Sequence, residues 1–432
     1  MIAMFKMANS SRRSSLLFIL RFIVISWSFF WFNVSCDDTS NRKVSMKFNP
    51  GCNMTVCTSG VNGSFVNVAH VSAVGSQDSL HYVMSTIGKP TVLVARINNQ
   101  LKDLSINWEK LLSKNISDLH NSVTFDPEPI YSFAVVFNRL IEYNDTHDDS
   151  TLAKAWSNST KVHNFPEFKW SSAEKESNTT SQTIVFKTSP ESSNFFENGS
   201  LSFSIRFFNR TGREDSLPHL LFNDNMTMFD FTIDHMKPSY TNSRFALEMI
   251  MVTSDKPDDK MTVITKKSLD DEYTPGIFKI VDWRSHPDQL GAYMQWKPVC
   301  YKKNVRTMAD STSTRMYDLQ DVTTIPERSL ASAYFGKELT ERKIAMKANN
   351  ISFGLTGDKF YIDTNYTSWT AGIGYGAPSD ETMSILVIAI IGAGLGIPAV
   401  IMIIGGIIVC MKKRQGQTDS PQFHHGYTTI NA

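Results

Sequence analysis

The sequence predicts an all-β fold, with lumenal β-sandwich-like modules, two in number, followed by one C-terminal transmembrane helix. Three observations lead there. Short runs of β-branched and aromatic residues recur through the middle of the chain and are bounded by Asn, Gly, Asp, Ser and Pro. Hydrophobic content is 41% with 28 Phe, 13 Tyr and 8 Trp, enough to build buried cores. A single uncharged stretch of membrane-crossing length lies near the C-terminus.

The N-terminus carries Lys6, Arg12 and Arg13 ahead of LLFILRFIVISWSFFWF, a basic region followed by an apolar one, as in a secretory signal peptide over residues 1–36. Cleavage is expected near Ser35 or Cys36, and an uncleaved anchor is the alternative. Arg21 interrupts the run and weakens it as a permanent span.

The expected strands follow in order: PTVLVARI at 90–97, IYSFAVVFNRLIEY at 130–143, LSFSIRFFNR at 201–210, RFALEMIMV at 244–252, MTVITK at 261–266, GIFKIVDW at 276–283 and GAYMQWKPVCY at 291–301. Short strands at this spacing favour sandwiches over a parallel α/β sheet. Residues 146–197 are rich in Ser, Asn, Thr, Lys and Glu. They mark either a boundary or a long excursion within one sheet system. The preferred division is a module at 37–190 and a second at 191–375, with one continuous domain as the alternative. Helix-forming composition appears within Ser329–Lys347.

Met383 to Cys410 is 28 residues without a charge and is expected to cross the membrane. Lys412, Lys413 and Arg414 follow at once and place the C-terminus in the cytosol. Gly392 and Gly396 form a small-residue step suited to close helix contact, although such glycines are common in membrane helices. The tail, 411–432, is too short to fold alone. Within it, Tyr427 and Ile430 stand three apart next to the terminus, a spacing that fits the two pockets of a clathrin adaptor and resembles a lysosomal sorting signal.

In the lumenal segment, Asn-x-Ser/Thr sequons occur at Asn53, Asn62, Asn115, Asn144, Asn158, Asn178, Asn198, Asn209, Asn225, Asn350 and Asn365. Each one used must lie at the surface, where the sugar would shield backbone from proteases. None occurs from 226 to 349, so that stretch is a candidate protein-binding face; a plain lack of Asn explains the gap equally well.

Formal net charge is +1, but seven basic residues and one acidic residue lie in the leader and tail. The lumenal segment keeps 36 basic and 41 acidic residues, a net of −5. Such a surface lacks the basic stripe of a nucleic-acid binder. Membrane lipid is the expected surrounding of the anchor, and no nucleic acid is expected as a partner.

Cysteine is sparse. Cys52 and Cys57 are close enough to close a short disulfide loop, which leaves Cys300 buried or paired with one of them. No His-Glu-x-x-His, Gly-x-Ser-x-Gly or Cys-x-x-Cys motif is present, so neither a catalytic residue, a cofactor nor a metal is expected. His81 reads as structural, and Trp108 and Trp296 as core aromatics. Asp270, Asp271 and Glu272 before Tyr273 read as a solvated turn or an interface hook, with Ca²⁺ ligation less favoured. Trp369 and Tyr375 pack under the last strand, or else seat in a partner or the headgroup zone.

Several of these pieces together resemble one family. They are His81-Tyr82-Val83 with Ser85 and Gly88, and Leu104-Ser105-Ile106-Asn107-Trp108 with Leu111-Leu112-Ser113. Val136 through Tyr143, Ser268 through Tyr273 and Gln295-Trp296-Lys297-Pro298 follow, then Tyr334-Phe335-Gly336, and Ser368-Trp369 with Gly372-Ile373-Gly374. In that order, and with this topology, the chain resembles the animal glycosylated lysosomal membrane proteins. The resemblance implies a non-catalytic accessory subunit whose lumenal part covers a lysosomal transporter of the major facilitator superfamily, an exporter of dipeptides, and protects it from proteolysis. The family members have more lumenal cysteines and different tails, so neither the disulfide pattern nor the Tyr427 and Ile430 signal is carried over.

Overall fold

The computed structural model describes residues 42–98, 103–152, 159–177, 181–269, 277–286, 289–380 and 385–416. The expected leader, the Asn158 and Asn178 sequons, the Asp270–Tyr273 cluster and the tail signal at Tyr427 and Ile430 lie outside them.

One sheet is built around β7 (Tyr131–Asn144), which pairs along its length with β15 (Ser243–Thr253). From β7 the sheet runs outward through β4 (Thr91–Ile97), β3 (Ser79–Ser85) and β2 (Val68–Val74) to β1 (Lys43–Phe48). The short β8 (Thr160–His163) takes the second half of the same edge of β7. Beyond β15 lies β21 (Met346–Phe353). The second sheet runs β9 (Glu174–Ser177), β10 (Ser181–Lys187), β11 (Phe196–Phe208), β14 (Met226–Met236), β22 (Tyr366–Gly376), β18 (Gly291–Trp296), β17 (Ile277–Arg284), β16 (Thr262–Leu269). β19 (Val299–Tyr301) shares the edge of β22 with β18. β20 (Ser311–Met316) joins the two sheets: its first residues pair with β19 and its last with β21. Hairpins β5/β6 (Asp103–Ile106, Val123–Asp126) and β12/β13 (Gly212–Arg213, Leu221–Phe222) stand apart.

Alternation explains how these runs make a sandwich. Phe203, Phe231 and Trp369 are cross-strand neighbours on the inner face of the second sheet, and Ser202, Thr232 and Ser368 are neighbours on its outer face. Phe133, Phe137, Leu247 and Met249 of the first sheet meet those inner residues in one buried cluster. Trp296 and Trp369 pack edge to face with centroids 5.9 Å apart. The central strands of the first sheet are buried on both faces. Its other side packs against helices α2 (Trp108–Leu111), α3 (Ile116–Leu119), α4 (Leu330–Phe335) and α5 (Lys337–Thr340) through Leu93, Val136, Ile250, Trp108, Leu119, Phe335 and Leu339. α1 (Thr55–Thr58) and α6 (Phe360–Thr364) are single turns.

The architecture is mostly strand, as expected, but the expected boundary at 190 does not divide the pairing. β7 from one side of it pairs with β15 from the other, and strands from both sides contribute to both sheets. The polar run at 146–197 is therefore partly sheet: in β10 the Ile184 and Phe186 side chains point inward between more exposed neighbours. The helical reading of Ser329–Lys347 holds for two short pieces. Gly336, at φ +55°, breaks them, and Met346 already begins β21.

Helix α7 (Ile385–Gly416) is long and apolar enough to cross a membrane between Ile390 and Arg414. Helical geometry continues past the expected end at Cys410 and carries Lys412, Lys413 and Arg414 on its last turns.

Candidate functional site

Strand polarity gives the sandwich two ends. β22 finishes at Gly376, opposite Gly291, and then leads toward α7, so this is the exit end. Arg96, at the close of β4, stacks its guanidinium 5.1 Å from the Tyr375 ring centre and binds Asp78 of the β2–β3 turn at 2.6 Å. The turn carrying Asp78 therefore belongs to the exit end, and the β1–β2 connection to the far end.

Sequons divide unevenly between the ends. Asn53 and Asn62 lie exposed in the β1–β2 connection. Asn115 is exposed between α2 and α3, beside them, where the Trp108 indole donates to the Pro50 carbonyl at 3.0 Å. Asn198 is exposed near the far start of β11; Asn144 and Asn365, half-buried, close β7 and precede β22 at the same end. Among the described sequons, only Asn209, exposed, and Asn225, half-buried with its Oδ1 accepting from Arg42 Nε at 2.9 Å, stand at the exit end. Asn350 is 4% exposed inside β21, so its side chain is closed to a folded-state sugar. Nothing in the tripeptide pattern reveals that burial.

The exit end carries a clasp that the sequence did not reveal. Asn223 Nδ2 donates to Ser379 Oγ at 3.0 Å, and Gln295 Nε2 donates to the Ser379 carbonyl at 2.8 Å and to Asp282 Oδ1 at 2.9 Å. Lys266 pairs with Asp380 and lies 3.4 Å from Asp282, which Arg284 also binds at 2.8 Å. Asp282 is fully buried, so the two cations offset the cost of its charge. The segment after β22 is thus fastened to β16, β17 and β18.

Buried polar groups elsewhere are structural. Glu142 accepts from His163 Nε2 at 2.8 Å and from the Ser239 hydroxyl at 2.7 Å, with further bonds from the Ser239 amide and the Ser243 hydroxyl. Burial alone would raise its pKa, but those bonds outweigh it and hold the carboxyl below its ordinary value. A hydrolytic triad needs the imidazole between serine and carboxylate, whereas here the carboxylate stands between. His81, 1% exposed, lies within hydrogen-bond distance of His70 and Ser79. Among the described residues no group of three or more His, Cys, Asp or Glu could hold a metal ion.

Cys52 and Cys57 form a disulfide. Cys300 is free and buried, with its thiol pushed up to about 12 by burial. Trp108, Trp296 and Trp369 are core residues, and Tyr375 packs 5.3 Å from the Tyr131 ring. Gly392 and Gly396 lie one turn apart on α7, where an added Cβ would meet nothing within 4 Å.

The sequence model of one protein family, described as "Glycosylated lysosomal membrane protein", matches residues 67–416. Glycosylated lysosomal membrane protein B of Xenopus laevis is 35% identical over 378 residues, which is 85% of this chain and 90% of the relative. The Danio rerio protein of that name is 34% identical over 388 residues, 88% and 92% of the two chains. The Homo sapiens protein is 27% identical over 359 residues, 82% and 86%.

Proposed function

The chain belongs to the glycosylated lysosomal membrane protein family, whose members are non-catalytic glycoproteins, and from that premise we propose that it is an accessory subunit of a lysosomal transporter. It is a lysosomal membrane glycoprotein with a single C-terminal transmembrane helix. The proposed partner is a transporter of the major facilitator superfamily that moves dipeptides, and the proposed task is to protect its lumenal loops from proteolysis.

The observation that carries this reading is the split between sugar and clasp. Accessible sequons among the described residues gather at the far end, toward the hydrolase-filled lumen, while the stretch 226–349 has none and supplies Gln295 and Lys266, two of the three side chains that bind Ser379 and Asp380. A rigid lid held close over fluctuating loops lowers the open population that proteases cut. Sharing one membrane raises the effective concentration of the two partners, and Gly392 and Gly396 offer a low surface for helix contact. We further propose that residues 1–36 are removed as a leader, and that Tyr427 and Ile430 engage clathrin adaptors to route the protein to the lysosome.

The test is quantitative proteomics of lysosomal membranes from cells with and without the protein. Selective loss of one multispan transporter, restored by inhibiting lysosomal proteases, supports the subunit reading. An unchanged membrane proteome overturns it in favour of a lumenal receptor or a coat glycoprotein.

A further inference from the structure

We propose that the corner of the exit end bearing Ile130 and Leu290 rests in the lipid headgroup zone of the lumenal leaflet. Its occupant is the bilayer surface itself, whether or not a transporter is bound.

The leash is the first argument. Ser379 and Asp380 are fixed to Asn223, Gln295 and Lys266, and helix α7 begins at Ile385. Four residues lie between Asp380 and that helix, so even fully extended chain allows at most about 18 Å over the five steps from the clasp to the start of the membrane helix. No stalk lifts the sandwich away from the bilayer.

The second argument is what the leash holds there. Tyr131 donates its hydroxyl to Asp255 Oδ2 at 2.6 Å and lies 2.9 Å from Ser285 Oγ, while Ser285 and Ala292 exchange bonds at 2.9 and 3.0 Å. These contacts bind the starts of β7 and β18 to the ends of β15 and β17 around Tyr375. Two aliphatic residues project from this knot: Ile130 is 51% exposed and Leu290 is 63% exposed. Single exposed aliphatics are ordinary on a protein surface. Two on one corner, on a short leash to a membrane helix, have an apolar phase within reach.

Sugar placement is the third. Neither 116–143 nor 226–349 contains a sequon, so β7, β15, β17 and β18 bring no glycan to this corner. Asn225, at the same end, sits beside Arg42 and Asp224, next to the β2–β3 turn rather than beside Ser285.

The experiment uses the full chain in phosphatidylcholine vesicles, with Cys410→Ser to remove the exposed thiol. Ile130→Cys and Leu290→Cys each carry an environment-sensitive dye, and Ile362→Cys, 38% exposed at the far end, is the control. A lipid-borne quencher is expected to quench the first two labels several-fold more than the third. Equal quenching at all three sites, or none at 130 and 290, overturns the proposal and leaves the corner to a protein partner. Asn223→Ala, Gln295→Ala and Lys266→Ala together release Ser379 and Asp380, lengthen the leash and are expected to lower quenching at both sites; quenching that stays unchanged there removes the clasp from the argument and overturns the fixed orientation.

Discussion

His70 and His81 stand on neighbouring strands with Nε2 of the first 3.1 Å from Nδ1 of the second, closed in by Ser79, Phe125 and Lys47. Burial lowers both rings, to about 3 for His70, where His81 and Lys47 add to the effect, and to about 4 for His81. Because the folded values lie below the ordinary 6.5, the unfolded chain takes up protons that the folded rings refuse. Stability contributed by neutral burial is therefore complete above 6.5 and falls as pH drops toward the folded values. By about pH 5 the loss approaches roughly 2 kcal/mol per ring. Thermal unfolding of the full chain in detergent should show a lower midpoint at that pH than at neutrality, and His81→Gln should flatten the difference. An unaltered slope in the variant would exclude the pair as its source.

Glu142 works in the same direction, through a carboxylate rather than an imidazole. Its carboxyl sits below the ordinary value, so its stabilisation is present above that value and vanishes only as pH falls through the lower, folded one. Glu142→Ala should cost about 3 kcal/mol, because it strands His163 and two serines in the interior. Chemical denaturation at neutral pH checks this, and a loss below about 1 kcal/mol would contradict it.

Arg244, with a nearly buried side chain, binds Asp145 at 2.8 Å, Asp148 at 2.6 Å and Asp358 at 2.9 Å, and donates to the carbonyls of Phe353 and Leu355. Arg244→Met leaves three carboxylates facing one another, with an expected cost of about 4 kcal/mol at neutral pH. Chemical denaturation at neutral pH checks this. A loss below about 1 kcal/mol would show that the cation is not what holds these two loops.

Glycan mapping by mass spectrometry should find sugar at Asn53, Asn62, Asn115, Asn198 and Asn209 and none at Asn350. β21 is hydrogen-bonded to β15 and β20 on its two edges, and a sugar on the buried Asn350 would prevent that packing. Occupied Asn350 in folded protein would refute the burial argument.

Strand content was legible where both faces of a strand are apolar: RFALEMIMV at 244–252 lies within β15, which is buried throughout. It was less legible at 146–197, because β10 turns a half-exposed face outward and looks like linker. Partnership was the hardest part to read. Arg244 meets Asp148 and Asp358 across 96 and 114 residues, and Gln295 meets Ser379 across 84. Such pairs exist only once the sheets have closed, and no local pattern announces them. Sequons, by contrast, are local and were all visible; only their exposure needed the fold.

The position of β22 has a temporal meaning. It is the last strand of the lumenal chain, yet it lies inside its sheet, with β14 on one side and β18 and β19 on the other. Until the ribosome has delivered Tyr366–Gly376, those neighbours keep open edges, and nine residues after Gly376 the membrane helix begins. Completion of the sandwich and arrival of the anchor are thus nearly one event, and a chain shed before that point leaves the translocon with an unclosed sheet that quality control can recognise.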